Sequence, residues 1–487
     1  MKKQTILLLS LLTLIVMQSE AQYSFEKIVR SSNDDYLYST IENSNHQFIS
    51  LGSRSTTPES YVYCPLVLKI DTNGDLLEEK LFCKTDSSAS FKFGMQKSNG
   101  NYLIIGTVKL TAVSDLRLPL GLLLICELDT DLNIVYEKIY EVPEPYVRHT
   151  IFNWFVALDG TIIIQSSADD DLNTYSRDVL FFNIDMEGNL LKMKMPENVR
   201  SYGKGDYLEK SDGTGFYMIG DVYLQSIQKD WMEFDYDFNL ISYGQIQGSG
   251  FLFPPLSNQR LPNGEIFLVN HSISFGNYHM GVLTLDNDFN ILKDTILEYN
   301  QPAQLPLYSG IDYTNEDNIY MCSYRHISLN TLGATVFYVH ILDAELNVKG
   351  TKICGGDSHY MLYSLLATSD AGCILTGIVP DHESSHLTDG YVVKLMPEDI
   401  LTGIAEPNTL KAISVRVSPN PFRNELVVDV PDDFSLIIYN QLGRPALTQI
   451  LEKGMQRINT SSLKKGIYFY NINTRCNNTF SGKIIKN

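Results

Sequence analysis

One pattern recurs along most of the chain and constrains its fold more than any other feature. An apolar stretch is followed by Asp, a short polar turn, a branched aliphatic residue and a second stretch of alternating character. The aspartates stand at Asp71, Asp129, Asp185, Asp235, Asp286 and Asp343. Successive copies are 58, 56, 50, 51 and 57 residues apart. Asp, Asn and Gly close tight turns, so each copy is predicted to be a β-hairpin with one buried face.

A second hairpin pattern precedes each of these copies. Its strands are joined by turns such as Asn99-Gly100, Asp159-Gly160 and Asn263-Gly264. The chain holds 29 Tyr and 22 Phe, a composition that favours strands. Each repeat of about 50 residues therefore contains four strands, which is the size of one β-propeller blade.

The two ends of the array predict a closed ring. A truncated seventh copy ends near Leu401, and its unit stops after a third strand at about Met396. Residues 23–31 resemble the fourth strand of the other units, for example 136–140. A circular array has to cover its open sheet edges. We therefore expect residues 23–402 to form a seven-bladed β-propeller whose N-terminal strand closes the last blade; an open stack of sheets or two sandwiches is the alternative.

The first residues read as an export signal. Lys2 and Lys3 precede an apolar run at 6–17, and small residues lead to a cleavage site between Ala21 and Gln22. Residues 1–21 are thus predicted to be a signal peptide. The apolar run is too short to span a bilayer, no Cys follows it, and no later segment is long enough, so no transmembrane anchor is expected.

The pattern changes after the repeats. Residues 403–412 lack periodicity and contain Pro407, as a linker does. Residues 413–487 contain short strands separated by polar turns, which predicts a small Ig-like β-sandwich. The whole chain is therefore expected to be all-β.

Ordered blocks in this last segment carry a family resemblance. They read SPNP from Ser418, LIIYNxLG from Leu436, LxxGIY from Leu463 and GKIIK from Gly482. The blocks resemble the type A C-terminal sorting domain of type IX secretion cargo. The motif residues are Pro419, Asn420, Pro421, Tyr439, Gly443, Gly466, Tyr468, Gly482 and Lys483. The resemblance implies a Bacteroidota source, the type IX machinery as partner, and a protein that is secreted or held at the outer cell surface.

Charge and cysteine content narrow the partners. The formal net charge of −19 repels phosphate backbones, so nucleic acid is not expected as a partner. The seven cysteines include no CxxC pair, which excludes zinc ribbons and thioredoxin-type chemistry. In an exported chain, Cys64–Cys83 and Cys354–Cys373 are two alternatives for a disulfide, and an odd total leaves at least one thiol unpaired.

No constellation of residues predicts catalysis, a metal or a cofactor. The segment from His382 to His386 fits HExxH, but it lies in a loop between two predicted strands rather than on a helix, so these histidines are minor metal candidates. The segment 71–75 resembles the start of a calcium loop, yet Phe82 occupies the position of the required Glu. Acidic runs such as 169–171 are expected by chance, and Trp154 or Trp231 fits a core role as well as sugar stacking.

We therefore expect an exported protein whose propeller is a binding or scaffolding platform without enzymatic activity. Its ligand is unknown and is expected at long loops between repeats. These loops span Ser53–Val62, Lys109–Leu118, Ser323–Gly333 and Pro380–Asp389. The alternative is an exported carbohydrate-active enzyme or peptidase, which requires clustered carboxylates or a His-lined metal in the central funnel.

Mass spectrometry of the native protein from culture fractions tests the predicted processing. We expect a mature N-terminus at Gln22, because signal peptidase cuts after small residues such as Ala21. We expect a second new end within residues 401–410. A cell-associated chain that still begins at Met1 would contradict the export signal.

Overall fold

The structure is a computed structural model and describes most of the chain. The described residues are 24–57, 60, 62–84, 87–110, 121–142, 148–169, 177–225, 227–246, 255–274, 277–297, 303–326, 334–356, 358–380, 387–401, 416–418, 421–430, 434–440, 444–451, 454–474 and 479–486. The predicted signal peptide, its cleavage site at Ala21 and Gln22, and the predicted linker at 403–412 lie outside these ranges. The chain divides into two compact units, residues 1–353 with 358–404, and residues 354–357 with 405–487.

The first unit consists almost wholly of strands. In chain order they are β1 (Phe25–Val29), β2 (Asp35–Glu42), β3 (Phe48–Ser55), β4 (Tyr63–Ile70), β5 (Leu76–Leu81), β6 (Ser87–Gln96), β7 (Tyr102–Leu110), β8 (Gly121–Leu128), β9 (Ile134–Tyr140), β10 (Arg148–Val156), β11 (Ile162–Asp169), β12 (Arg177–Ile184), β13 (Leu190–Lys194), β14 (Val199–Glu209), β15 (Gly215–Leu224), β16 (Ile227–Asp235), β17 (Leu240–Gly244), β18 (Pro255–Arg260), β19 (Ile266–Ser274), β20 (Asn277–Leu285), β21 (Ile291–Leu297), β22 (Ile311–Asn315), β23 (Asn318–His326), β24 (Thr335–Leu342), β25 (Val348–Gly355), β26 (Met361–Ala367), β27 (Cys373–Pro380) and β28 (Thr388–Leu395). The described residues contain one short helix, α1 (Pro397–Leu401). The all-β prediction is confirmed.

Consecutive strands form antiparallel sheets. Four-stranded sheets comprise β2–β5, β6–β9, β18–β21 and β22–β25. An eight-stranded sheet contains β10–β13 and β14–β17, which are joined where residues 177 and 178 of β12 pair with β14. The remaining four-stranded sheet has the order β1-β28-β27-β26, so the first strand of the chain pairs with the last strand of this unit. In that pairing Phe25 lies opposite Lys394 and Val29 opposite Gly390.

The recurring aspartate organises each hairpin turn. Asp129 Oδ1 accepts hydrogen bonds from the backbone N–H groups of Asp131 (2.9 Å) and Asn133 (2.7 Å), and its Oδ2 accepts one from the Asn133 amide (3.1 Å). These bonds hold the pKa of Asp129 below its usual range, with the Asn133 backbone as the largest cause. The same bonds recur at Asp185, Asp235 and Asp286.

The third residue after each aspartate has left-handed backbone geometry. It is Gly74 (φ 86°) or Gly188 (φ 73°) in two turns. In four turns it is a large apolar residue, Leu132, Phe238, Phe289 or Leu346, with φ between 57° and 63°. This geometry is unfavourable for side chains with a Cβ. The four apolar side chains are at most 5% exposed, and this burial offsets the strain.

Successive sheets are also linked by lysines of their outer strands. Lys80 Nζ donates to Asn133 Oδ1 at 2.9 Å, and Lys138 Nζ donates to Asn189 Oδ1 at 2.7 Å. Lys194 Nζ makes the same contact with Asn239 at 2.5 Å. In each case the lysine of one repeat binds the hairpin turn of the next. Polar side chains therefore tie the repeats together at their periphery.

The core lies between the faces of neighbouring sheets. In one cluster Val67 of β4 packs with Phe91 and Ile104 of the next sheet. In another, the rings of Phe181 and Phe216 are 5.4 Å apart, one from each half of the eight-stranded sheet. A disulfide joins Cys64 to Cys83, one of the two pairings considered from sequence.

The second unit contains two antiparallel sheets. Its strands are β29 (Arg416–Ser418), β30 (Glu425–Val430), β31 (Phe434–Tyr439), β32 (Pro445–Leu451), β33 (Gly454–Asn459), β34 (Gly466–Thr474) and β35 (Thr479–Lys486). The orders are β29-β30-β33 and β32-β31-β34-β35. Leu426, Ile438 and Ile484 share one buried cluster that both sheets supply. The buried Lys486 ammonium donates to the Thr460 carbonyl at 2.6 Å.

A buried ion pair beside the closing strand offers a stability test. Lys394 of β28 donates to Asp370, and their side chains are 0% and 3% exposed. Asp370→Ala leaves the Lys394 charge buried without its carboxylate, so we expect the free energy of unfolding to fall by about 3–5 kcal/mol in urea titrations. The double variant with Lys394→Met should recover most of the loss.

The matched control is Glu345→Ala, which removes the carboxylate of an exposed pair with Lys293. Exposed pairs contribute roughly 0–1 kcal/mol, so this variant should unfold near the wild-type midpoint. Equal losses in Asp370→Ala and Glu345→Ala would contradict the assignment of a buried, structural charge pair.

Candidate functional site

The first strand of each sequence repeat lines one cavity of about 290 Å³. Each of β2, β6, β10, β14, β18, β22 and β26 contributes to its wall. One lining residue from each is, in that order, Ser39, Phe93, Asn153, Asp206, Asn258, Asp312 and Ser364. A cavity to which every sheet of the unit contributes is the natural place for a ligand.

β-Bulges turn these first strands towards the cavity. The pairing of β2 with β3 skips Tyr38, that of β6 with β7 skips Lys92, and that of β26 with β27 skips Tyr363. The same single-residue shift occurs in β10 and β18. A bulge changes which residues face each side of a strand. The residue after the bulge, such as Ser39 or Ser364, consequently lines the cavity.

Asp206 joins three neighbouring first strands. Its carboxylate accepts hydrogen bonds from the Asn153 amide of the preceding strand, from Ser257 Oγ (2.8 Å) and from the backbone N–H of Asn258 (3.0 Å). Charge-assisted bonds of this kind are strong and directional. Asp206 therefore holds β10, β14 and β18 in register around the cavity.

Asp312 of β22 likewise links its strand to the two neighbouring first strands, β18 and β26. It accepts hydrogen bonds from the backbone N–H groups of Ala367 (2.8 Å) and Tyr313 (2.9 Å) and from the Gln259 amide (3.4 Å). Burial nevertheless raises the pKa of Asp312 to about 6, because desolvation of the carboxylate outweighs these bonds.

Two further hydrogen bonds connect first strands or their neighbours. Ser39 Oγ donates to the Lys92 carbonyl at 2.6 Å, which links β2 to β6. The Thr40 and Thr376 hydroxyls are 2.7 Å apart, which links β2 to β27. The first bond joins two adjacent repeats. The second joins the first repeat of the chain to the last.

Two buried polar side chains of the described cavity wall, Asn258 and the Tyr207 hydroxyl, have no hydrogen-bond partner, and we consider Asn258 because its amide can both donate and accept. Asn258 is 5% exposed, and neither its amide nitrogen nor its amide oxygen has a hydrogen-bond partner in the described structure. Leaving a buried amide unsatisfied costs about 1–3 kcal/mol. A group that enters the cavity and both accepts and donates hydrogen bonds would remove this cost.

Aromatic side chains supply the apolar part of the wall. Trp154 lines the cavity, and the rings of Phe93 and Tyr308 meet edge to face at 4.9 Å. Trp231 lies elsewhere, stacked on Phe289 at 4.7 Å. Of the two tryptophans singled out from sequence, Trp154 is therefore the one that faces the cavity.

Several residues considered from sequence lie outside the described structure. They are His382, His386, Asp170 and Asp171, so the structure does not test the HExxH segment. Within the described ranges, no group of three or more His, Cys, Asp or Glu is arranged to hold a metal. In the turn that resembles a calcium loop, Asp71 Oδ1 instead accepts backbone N–H groups of Asn73 and Asp75.

The expected ligand loops connect the second and third strands of their sheets. Each of the four includes residues that the structure does not describe: 58, 59 and 61, then 111–118, 327–333 and 381–386. Their role as ligand contacts stays a prediction.

The sorting-motif residues that are described lie in the second unit. Tyr439 ends β31, Tyr468 is buried in β34 and donates its hydroxyl to the Lys464 carbonyl at 2.9 Å, and Gly466 begins β34. Gly482 and the exposed Lys483 pair with β34 from β35, and Pro421 precedes β30. The motif positions Pro419, Asn420 and Gly443 lie outside the described residues.

Sequence reasoning did not identify Asp206, Asp312 or Asn258. A signal was present: Asn153, Asp206, Asn258 and Asp312 are polar residues that recur at the same phase of the repeat, 52–54 residues apart. Alignment of the units on their turns would have placed these residues at one level of the predicted ring.

Comparison with known proteins identifies the export route of the chain. Residues 416–487 match the family of the secretion system C-terminal sorting domain. This match confirms the resemblance found in sequence: the chain is cargo of type IX secretion, exported to the cell surface or released. In the described residues, no helix is long and apolar enough to cross a membrane. The search of curated proteins found no match.

Solved structures show distant likenesses. The extracellular domain of a protein described as a hybrid two-component system from B. thetaiotaomicron is 12% identical, with a TM-score of 0.40, over 93% of this chain; the chain spans 56% of that structure. An ulvan lyase of polysaccharide lyase family 25 is 10% identical, with a TM-score of 0.44, over 77% of this chain and 97% of its own. A Bacteroides caccae protein of unknown function is 11% identical, with a TM-score of 0.37. The match covers 66% of this chain and 94% of that protein.

The raised pKa of Asp312 predicts a pH dependence of stability. The folded carboxyl titrates at about 6, above the unfolded value of about 3.9. The folded state therefore binds more protons between these values, and the contribution of Asp312 to stability falls as pH rises from 4 to 6. Relative to Asp312→Asn, the wild type should lose about 2–3 kcal/mol across this range in urea titrations. Asp317→Asn, an exposed turn residue of the same hairpin, should leave the wild-type slope unchanged.

Proposed function

We propose that this exported cargo is a non-enzymatic binding platform whose residues 23–402 form a seven-bladed β-propeller. Support for the ring comes from the strand order. Five sheets of the unit have four strands, and each half of the eight-stranded sheet forms a further blade. The pairing of β1 with β28 completes the blade that contains the end of the repeated sequence. The contact of Thr40 with Thr376 then joins the first blade to the last.

The central cavity is the observation that carries the binding role. It contains the unpartnered Asn258 amide, hydroxyls such as Ser364, and the Trp154 ring. An amide that can both donate and accept, beside an indole, suits a neutral ligand with several hydroxyl groups. We therefore propose a saccharide of one or two rings as the ligand class, since the volume of about 290 Å³ admits little more.

A carbohydrate-active enzyme is the second candidate, and one observation favours it. Asp206 and Asp312 line the same cavity, and the pKa of Asp312 is raised to about 6, as in a general acid. At least three hydrogen-bond donors bind each carboxylate, however, and most of those named above belong to neighbouring strands. That arrangement suits structural ties better than proton transfer.

Calorimetric titration of the mature protein with a panel of neutral mono- and disaccharides tests this proposal. We expect at least one sugar to bind and to be recovered intact. Asn258→Leu preserves the branched outline of the side chain but removes the amide, and should weaken binding roughly ten- to a hundredfold.

The matched control is Asn270→Leu, because Asn270 is also buried with an unpartnered amide oxygen but lies outside the cavity wall. Its affinity should equal that of the wild type. Cleavage of the sugar would favour the enzyme, and an absence of binding across the panel would overturn the platform at this cavity.

A further inference from the structure

A second pocket, of about 340 Å³, lies beside the central cavity and shares none of its lining residues. Its wall is rich in hydroxyl groups, supplied by Tyr38, Ser53, Ser88, Ser90, Thr107 and Thr150. Two lysines, Lys92 and Lys109, complete the polar wall, and none of the described lining residues is Asp or Glu. In a chain of net charge −19 such a pocket is unusual.

Lys92 is placed in this pocket by the bulge of β6. The pairing of β6 with β7 passes from Phe91 to Phe93, so Lys92 has no partner in the ladder. While Phe93 lines the central cavity, Lys92 lines the second pocket. Its Nζ lies 5.8 Å from the centre of the Tyr308 ring. The bulge thus places one cation in a wall of hydroxyls.

The Lys92 ammonium lacks the partners that other lysines of the unit have. Lys97, Lys210 and Lys394 each form an ion pair with a carboxylate. The Lys92 Nζ makes no hydrogen bond or ion pair with any residue that the structure describes. Burial, followed by the nearby charge of Lys109, lowers its pKa to about 8. A partly buried ammonium without a counter-ion is unfavourable, and a bound anion would remove that cost.

The hydroxyls near Lys92 can donate to an anion. Ser90 Oγ and Thr107 Oγ1 are 3.0 Å apart, so one of the pair donates to the other and the remaining proton is available to a ligand. The Tyr38 hydroxyl is 3.3 Å from Ser53 Oγ, and it can donate to a ligand when Ser53 is the donor of that pair. Oxyanions are recognised by charge together with several hydroxyl or N–H donors.

We propose that this pocket binds an oxyanion group, a carboxylate, sulfate or phosphate, with Lys92 as its counter-charge and with Tyr38 and one hydroxyl of the Ser90–Thr107 pair as hydrogen-bond donors. The site goes beyond the platform role because it uses no residue of the central cavity. A ligand that occupied both would carry its hydroxyl-rich part against Asn258 and its anionic group against Lys92.

Calorimetric titrations of the full mature chain with sodium sulfate, sodium phosphate and sodium galacturonate test the site, with sodium chloride at matched ionic strength as the reference. We expect saturable binding of at least one oxyanion, and the three arms identify which group is preferred. Lys92→Gln should weaken that binding at least tenfold. Ser90→Ala retains the charge and should weaken it severalfold.

The matched control is Lys229→Gln, since Lys229 also lies over a tyrosine ring, Tyr243 at 4.8 Å, but lines no part of this pocket. It should bind as the wild type does. In chloride alone, Lys92→Gln should melt no lower than the wild type, because the substitution removes an unpaired charge. If Lys92→Gln does not fold, the comparison of oxyanion affinity between the wild type and Ser90→Ala tests the proposal.

Failure of this site is distinguishable from failure of the platform. Asn258→Leu should lose the neutral sugar and keep the oxyanion, whereas Lys92→Gln should do the reverse. Absence of saturable binding for all three oxyanions, or equal affinities in wild type, Lys92→Gln and Ser90→Ala, would overturn the proposal.

Discussion

Hydrogen bonds that leave one repeat and end on the next are the interactions on which the rest of the body depends. At the periphery, Lys80 and Lys138 each reach the turn asparagine of the following sheet. Around the cavity, Asn153 bonds to Asp206 and Gln259 to Asp312. A single four-stranded sheet buries only part of its apolar surface, so each sheet requires its neighbour. The polar ties at both rims fix how the apolar faces meet.

The hairpin turns show two solutions to one backbone requirement. The left-handed position is met by glycine at Gly74, where a Cβ would collide with the Phe25 ring at 2.6 Å. Phe238 and Phe289 adopt the left-handed geometry despite its strain, and the aromatic ring itself fills the space against the neighbouring repeat. Either way an aromatic group occupies the junction, because a void there would forfeit packing contacts.

The polar groups that line the two pockets fall into two sets, those satisfied by neighbouring strands and those without a partner, and this difference separates structure from recognition. Asp206 and Asp312 accept hydrogen bonds from neighbouring strands, so their carboxylates hold these strands together. The Asn258 amide and the Lys92 ammonium have no hydrogen-bond or ion-pair partner among the described residues. Buried polar groups without partners are rare and costly. They are the positions at which a ligand gains most.

The sequence by itself determined the local structure and the address. The hairpins follow from Asp, Asn and Gly in alternating strands, and the pairing of Phe25–Val29 with β28 was readable because residues 23–31 resemble the missing strand. The sorting domain was likewise legible as ordered blocks. Only the tertiary structure decided the sites. Asp206 contacts Asn153, which is 53 residues earlier in the chain. The bulge at Lys92 shifts by one position which side chains of β6 point to each face of the sheet, and the alternation of apolar and polar residues in the sequence does not show this shift. Contacts between repeats depend on that shift, and no local pattern reports it.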